Sequence, residues 1–241
     1  MHNFEQDISK YAVVIPSLNP TDKLNIVVNE LLKIGFKHIV VVDDGSSPEF
    51  QSRFSKIESI PGCVVLRHEK NLGKGAGLRT AFKYLIEESG DIEGAVTADG
   101  DGQHMPSDIA ACTLASMREP KALIMGTRDF SAEGVPTKSR MGNKITRTVF
   151  RVACGIKLSD TQTGLRAMSK ELFPKMLRIK GDRYEYETNM LLTLNRAGVP
   201  FIENKIETVY EDNNSCSHFR AFSDSVRIYG LIFRYLFSSV A

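Results

Sequence analysis

Short β-branched runs alternate with amphipathic stretches through the first half of the chain. Tyr11–Ile15, His38–Val42, Cys63–Leu66, Ala95–Ala98 and Ala122–Met125 are nearly continuous in apolar residues, the pattern of strands buried on both faces. Between them, Thr21–Ile34, Pro48–Ser59, Ala76–Glu88 and Pro106–Met117 carry helical spacing. Asn19-Pro20 predicts the first helix start, an N-cap followed by proline in the first turn. Gly35 predicts its end, because the left-handed position after a helix costs glycine little. Strand, helix and strand recurring at roughly 25 residues predict a parallel sheet with right-handed crossovers.

Beyond about residue 128 the alternation loosens. A basic segment with Lys138, Arg140, Lys144, Arg147 and Arg151 leads into Ser159–Arg166. A helix is expected over Tyr186–Ala197, a strand over Phe201–Tyr210 and a last helix over Phe219–Phe237. No repeat and no linker interrupts the chain, so one domain is expected.

Composition adds bounds. With 241 residues, 42 % hydrophobic and 25 % charged, the chain can bury a core unaided, since this length hides roughly 70–75 % of its unfolded surface. A net charge of +2 argues against a dedicated nucleic-acid binder. Cys63, Cys112, Cys154 and Cys216 are dispersed, which excludes a zinc ribbon or disulfide framework and points to a reducing, cytoplasmic compartment. No stretch reaches the ~20 apolar residues of a membrane helix; the longest candidate, Ile228–Ala241, is broken by Arg234.

In an open parallel sheet, ligands bind beyond the carboxyl ends of the strands. The residues there are Pro16–Pro20, Asp43-Asp44-Gly45-Ser46-Ser47, Asn71–Gly77 and Asp99-Gly-Asp-Gly-Gln-His104. Turn chemistry accounts for any one of these and poorly for all together. Asp99 and Asp101, one residue apart and flanked by glycines, suit a hard divalent cation, magnesium or manganese, with positions left for phosphate oxygens. Gln103 and His104 could add a ligand or a phosphate contact. An EF-hand fails, because Ala110 stands where a bidentate glutamate is required. The Gly73–Gly77 turn opens a helix, so its amides could cradle a phosphate with Lys74 beside it; a plain helix-entry turn explains it equally well. Asp43 and Asp44 suit a base or ribose.

Val13–Asn19, Val41–Ser46, Asn71–Gly75, Ala98–His104, Gly126-Thr-Arg128 and Asp160–Arg166 occur in an order that resembles inverting family-2 glycosyltransferases of the GT-A fold. Within them the chain is most similar to the polyprenyl-phosphate sugar transferases, and the resemblance spans about residues 11–235. It implies a Rossmann-like, mostly parallel α/β sheet flanked by helices, a nucleotide-sugar donor, Mg2+ or Mn2+, and a polyprenyl phosphate acceptor at the cytoplasmic face of a membrane. Carried over by residue, Pro16, Leu18, Asp43 and Asp44 would line the base and ribose pocket, with Lys74 near the diphosphate. Asp99 would face the ribose or sugar, Asp101 and Gln103 would hold the metal, and Arg128 and Arg140 would hold phosphates. Residues 11–128 would form the donor-binding half and 129–241 the acceptor half.

The acceptor class follows from elementary chemistry. A sugar hydroxyl needs a general base, whereas a phosphomonoester, with a second pKa of about 6, is already an oxyanion. Arg140, Lys144, Arg147 and Arg166 offer cations for an acceptor phosphate, while Glu185 and Glu187 offer a base for a hydroxyl. Arg220, Arg227 and Arg234 recur every seven residues in the aromatic-rich last helix, which suits peripheral contact with an anionic membrane; a helix packed on the core explains them as well. A glycan-synthesising transferase, a sugar-phosphate nucleotidyltransferase and a non-catalytic nucleotide-sugar binder stand as alternatives.

Overall fold

Five β-branched runs become five strands, each starting within one residue of its expected position: β1 (Tyr11–Ser17), β2 (His38–Asp43), β3 (Cys63–Arg67), β4 (Gly94–Thr97) and β5 (Leu123–Arg128). The computed structural model describes residues 8–88, 90–131, 135, 137–207 and 230. Helices α1 (Lys23–Lys33), α2 (Gln51–Glu58), α3 (Lys74–Glu88) and α4 (Pro106–Arg118) follow the first four strands, α2 after a 3-10 turn at Pro48–Phe50. The rest comprises α5 (Thr137–Cys154), β6 (Arg166–Ser169), α6 (Phe173–Arg178), α7 (Glu185–Arg196) and β7 (Phe201–Ile206). The strand expected over Phe201–Tyr210 thus ends at Ile206. Residues 208–210 and the helix expected over Phe219–Phe237 lie outside the described residues.

The seven strands form one sheet in the order β3-β2-β1-β4-β6-β5-β7. Its neighbours run parallel except β6, which is antiparallel to both β4 and β5. This inserted strand is why the sequence alternation loosens after β5. Four residues are too few to display a period, and its first residue is an arginine.

Successive strand residues face opposite sides, so the core divides into two layers. Val14, Val40 and Val42 meet Leu78, Phe82 and Leu85 of α3 and Leu191 of α7 on one side. Val13, Ile15, Ile39 and Val41 meet Leu24, Val28 and Leu31 of α1, Phe54 of α2 and Ile109 of α4 on the other. Each such side chain contributes roughly 1.5–3 kcal/mol by leaving water, and the two layers together leave the strand ends as the rigid part on which loops are mounted.

Gly35 stops α1 as expected, with φ of 112° and its amide on the Leu32 carbonyl. The N-cap expectation is corrected: α1 begins only at Lys23, after Asp22, which makes no side-chain cap bond. Asn19 instead adopts a left-handed φ of 49°. Its Oδ1 accepts the Ser47 amide at 3.0 Å and its own amide donates to Ser46 Oγ at 2.8 Å. Asn19 therefore ties the exit of β1 to the exit of β2. Among the described residues, no helix is long and apolar enough to cross a membrane.

Candidate active site

Parallel pairing of β2, β1 and β4 puts their carboxyl ends along one edge. Pro16 and Leu18, half-buried, leave β1 there, beside Asp43–Ser46 after β2 and Asp99–His104 after β4.

At the β2 exit both aspartates are buried and fully engaged. Asp43 accepts the Ser46 amide on Oδ1 and the Gln51 side-chain amide on Oδ2, each at 2.8 Å. Asp44 accepts the Leu72 amide at 2.9 Å on Oδ1 and the Gly73 amide at 2.8 Å on Oδ2. Its Oδ1 also lies 2.7 Å from His68 Nδ1, whose Nε2 meets Thr80 Oγ1 at 2.9 Å. Gly45 completes the corner: its φ is +75°, and a Cβ would lie 2.3 Å from the Lys70 carbonyl carbon. Asp44 thereby clamps the loop that delivers Lys74.

The glycine-rich turn at Gly73–Gly77 is closed by protein rather than open as a phosphate cradle, which corrects that expectation. The Ala76 amide donates to the Asp182 carbonyl at 2.9 Å. A Cβ on Gly75 would lie 2.4 Å from Tyr186 Cβ. Arg79 fastens the same segment by donating to the Gly181 carbonyl and the Asp182 carboxylate. The glycines let the turn slide beneath residues 181–186, and Lys74 is what emerges.

Lys74 Nζ reaches Asp99 Oδ1 at 2.8 Å and Glu187 Oε1 at 3.0 Å. Burial opposes charge on both members of the Lys74–Asp99 pair, but their mutual attraction outweighs it. The Asp99 carboxyl is held below its ordinary value by Lys74, with His104 and Arg128 helping; Lys74 is held above its own by Asp99 and Glu187. Gly164 lies flat against this pair. A Cβ there would stand 2.5 Å from Asp99 Oδ2 and 3.0 Å from Lys74 Nζ, and the Gly164 carbonyl is fixed by Thr97 Oγ1 at 2.7 Å.

Asp101 has the opposite environment. Burial and the nearby Asp99 charge push its carboxyl up, against a hydrogen bond from the Gln103 amide and the weaker pull of His104 and Lys74; that amide is 3.0 Å from Oδ1. Among the described residues no cationic side chain forms an ion pair with it. His104, buried, takes the Asp99 amide on Nδ1 at 3.3 Å, which leaves the proton on Nε2; burial lowers its pKa. Among the described residues no group of three His, Cys, Asp or Glu side chains converges on one metal position. A cation would draw on fewer protein ligands and complete its shell with phosphate oxygens and water. The residues fit that role: Asp101 is a partly buried carboxylate with no ion-pair partner among the described residues, and Gln103 adjoins it.

Arg128, at the end of β5, makes a forked pair with the fully buried Asp160, Nε to Oδ2 at 2.7 Å and Nη2 to Oδ1 at 3.2 Å. Arg140, Lys144 and Arg147 lie exposed on α5. Arg166 does not join them: it is 1 % exposed. Its Nη1 donates to the Glu187 carbonyl at 2.8 Å and its Nε to the Thr163 carbonyl at 3.1 Å. It braces α7 and does not face an acceptor, which corrects the sequence expectation. Glu185 Oε1 accepts the Asp182 and Arg183 amides at 3.2 and 3.3 Å, an N-terminal turn role. Sequence reading gave no role to Asp160 or Gly164, though the Asp160–Arg166 motif contained both; the Glu187–Lys74 contact had no local signal at all.

The sequence pattern described as Glycosyl transferase family 2 matches residues 12–177. The chain belongs to that family. This glycosyltransferase is 31 % identical over 204 residues to an uncharacterized protein of Methanocaldococcus jannaschii, covering 83 % of this chain and 82 % of that one. It is 28 % identical to the UDP-N-acetylglucosamine–dolichyl-phosphate N-acetylglucosaminyltransferase of Methanococcus voltae, covering 83 % and 86 %. A further relative, the undecaprenyl-phosphate 4-deoxy-4-formamido-L-arabinose transferase of an Enterobacter species, is 28 % identical over 70 % of this chain and 52 % of its own. Among solved structures, glucosyl-3-phosphoglycerate synthase of Mycobacterium tuberculosis, in complex with Mn2+ and UDP, superposes with a TM-score of 0.66 at 16 % identity, covering 97 % and 81 %. Such a likeness shows the GT-A fold. The family match ends before α7, so Glu187 lies beyond it.

Proposed function

We propose that this glycosyltransferase moves a sugar from a UDP- or GDP-sugar to a polyprenyl phosphate, inverting the anomeric centre, with a divalent cation. The relatives named for dolichyl-phosphate and undecaprenyl-phosphate substrates support the acceptor class. One observation of the site carries it further: apart from Asp101, assigned here to the metal, the carboxylates around the β4 exit are already engaged. Asp99 and Glu187 share Lys74, Asp160 holds Arg128, and Glu185 caps a turn. A carboxylate held ionised by a lysine is a weak base at neutral pH. That suits an acceptor which arrives already deprotonated.

In this reading Pro16 and Leu18 line the base and ribose pocket, Asp43 and Asp44 hold the loops that wall it, and Asp99 faces the ribose or sugar. Lys74 keeps Asp99 ionised and adds positive charge near the diphosphate. Asp101 and Gln103 would hold Mg2+ or Mn2+, which supplies Lewis-acid neutralisation of the leaving diphosphate. Arg128, its guanidinium fixed by Asp160, and Arg140 meet phosphate charge; a unit pair at 4 Å is worth about 4 kcal/mol at an effective dielectric constant of 20. Residues 11–128 act as the donor half and 129–241 as the acceptor half, with the membrane as the source of acceptor.

The test is product analysis of the purified protein with UDP- and GDP-sugars, each metal, and a panel of acceptors. Inverted sugar on a short polyprenyl phosphate is expected. Preferential labelling of a sugar hydroxyl, or diphosphate release from a nucleoside triphosphate and a sugar phosphate, overturns the reading.

A further inference from the structure

Helix α5 carries an exposed apolar line besides the side it buries. The residues it turns inward are Asn143, Thr146, Phe150 and Cys154, each no more than 8 % exposed. Its apolar Met141, Ile145 and Val152 are 60 %, 49 % and 81 % exposed. At 3.6 residues per turn these three fall within about 40° of a single line opposite the buried side. Lys144, Arg147 and Arg151 form a second line along one flank, spanning about 60°. No acidic residue occurs between Thr137 and Cys154. An ordinary core-packed helix shows mixed charges outward and no second apolar line.

We propose that this face of α5 rests on an anionic lipid bilayer, with the apolar line entering the headgroup boundary and the basic line meeting lipid phosphates. The charge pattern selects the occupant: an apolar stripe beside a purely basic one matches a negatively charged interface. The placement also serves the site. Asn143 Nδ2 donates to the Ser159 carbonyl at 2.8 Å, joining α5 to the segment whose Asp160 holds Arg128. Seating α5 on the membrane therefore sets the height of that arginine above the surface. The inference rests on the proposed lipid acceptor only for its purpose; the face itself is read from α5. It assigns to α5 the membrane contact that the sequence suggested for the last helix.

The experiment is flotation of the full chain with phosphatidylcholine vesicles, with and without phosphatidylglycerol, at low and high salt. Binding is expected only with phosphatidylglycerol, weakening as salt rises. The combined variant Met141→Gln, Ile145→Gln, Val152→Gln should bind at least about tenfold more weakly. Its melting temperature and its transfer to a short, detergent-dispersed polyprenyl phosphate should not change. Arg151→Glu keeps the apolar line and supplies a second reading, weaker binding at low salt that converges with wild type at high salt. Wild type that ignores anionic vesicles, or a triple variant that floats as well as wild type, overturns the proposal. So does a triple variant that turns a dimer into a monomer with flotation intact, because a second copy then covers the face. Normal flotation without any polyprenyl-phosphate transfer defeats the proposed acceptor and leaves this face standing.

Discussion

Two acidic pairs stand at neighbouring strand exits, and the fold treats them in opposite ways. Asp43 and Asp44 spend their oxygens on the amides of Ser46, Leu72 and Gly73 and on the side chains of Gln51 and His68. They are architecture, and their charge is dispersed over backbone dipoles. Asp99 and Asp101 are divided instead, one given a lysine and the other only a backbone amide beside a like charge. An acidic turn in a sequence therefore carries two separable messages. Carboxylates that find amides position loops, and a carboxylate left short of positive charge marks where a cation or substrate is expected.

The sharpest way to break this contrast is to exchange the consequences of the two pairs. Asp101→Ala should lower metal-dependent transfer by about 10^3-fold, the several kcal/mol attributable to a metal-stabilised leaving group. Its melting temperature should match wild type or exceed it. Turnover across a manganese titration checks this, and near-normal turnover removes Asp101 from the chemistry. Asp44→Ala should do the converse and destabilise the fold by roughly 3 kcal/mol, because two amides and His68 lose a buried partner. Denaturant unfolding checks it; a change below 1 kcal/mol would mean the loop holds without its clamp.

The smallest effect is a difference in pH dependence. Asp99 has a depressed pKa in the fold, so its contribution is complete above the ordinary carboxyl value of 3.8 and is lost as pH falls through that region toward the folded value. Asp101 has a raised pKa, so its ionised form costs stability at neutral pH and the cost disappears on acidification. Asp101→Asn should therefore melt slightly above wild type at pH 7, with the gap closing as the medium becomes acid. Thermal melts without metal measure it, and a gap that widens toward low pH contradicts the assignment.

The first half of the molecule was legible because β-branched runs and strand-end turns are local signals. The starts of β1 to β5 and the pairing of acidic residues with strand exits follow from that. The second half was less so, for identifiable reasons. Helix α5 turns Asn143 and Thr146 inward and Met141 and Val152 outward, while Phe150 and Cys154 still face the core, so its apolar residues follow no single face. Strand β6 has four residues, and its arginine is buried, which reads on paper as a surface cation. Asn19 resembled a helix cap because its sequence neighbours are cap-like, whereas its partners, Ser46 and Ser47, come from the next strand's exit. Contacts made across such distances leave no mark in a local window.

The ammonium of Lys74, answering to Asp99 and to Glu187 at once, restricts how chains of this kind can be recombined. A chimera joined between β5 and α7 inherits the lysine from one parent and one of its two counter-charges from the other. If the second parent lacks an acid at that helix position, the splice strands a cation inside a crowded charge cluster. A crossover placed after α7 keeps all three groups together, so it is the seam that leaves this charge cluster intact.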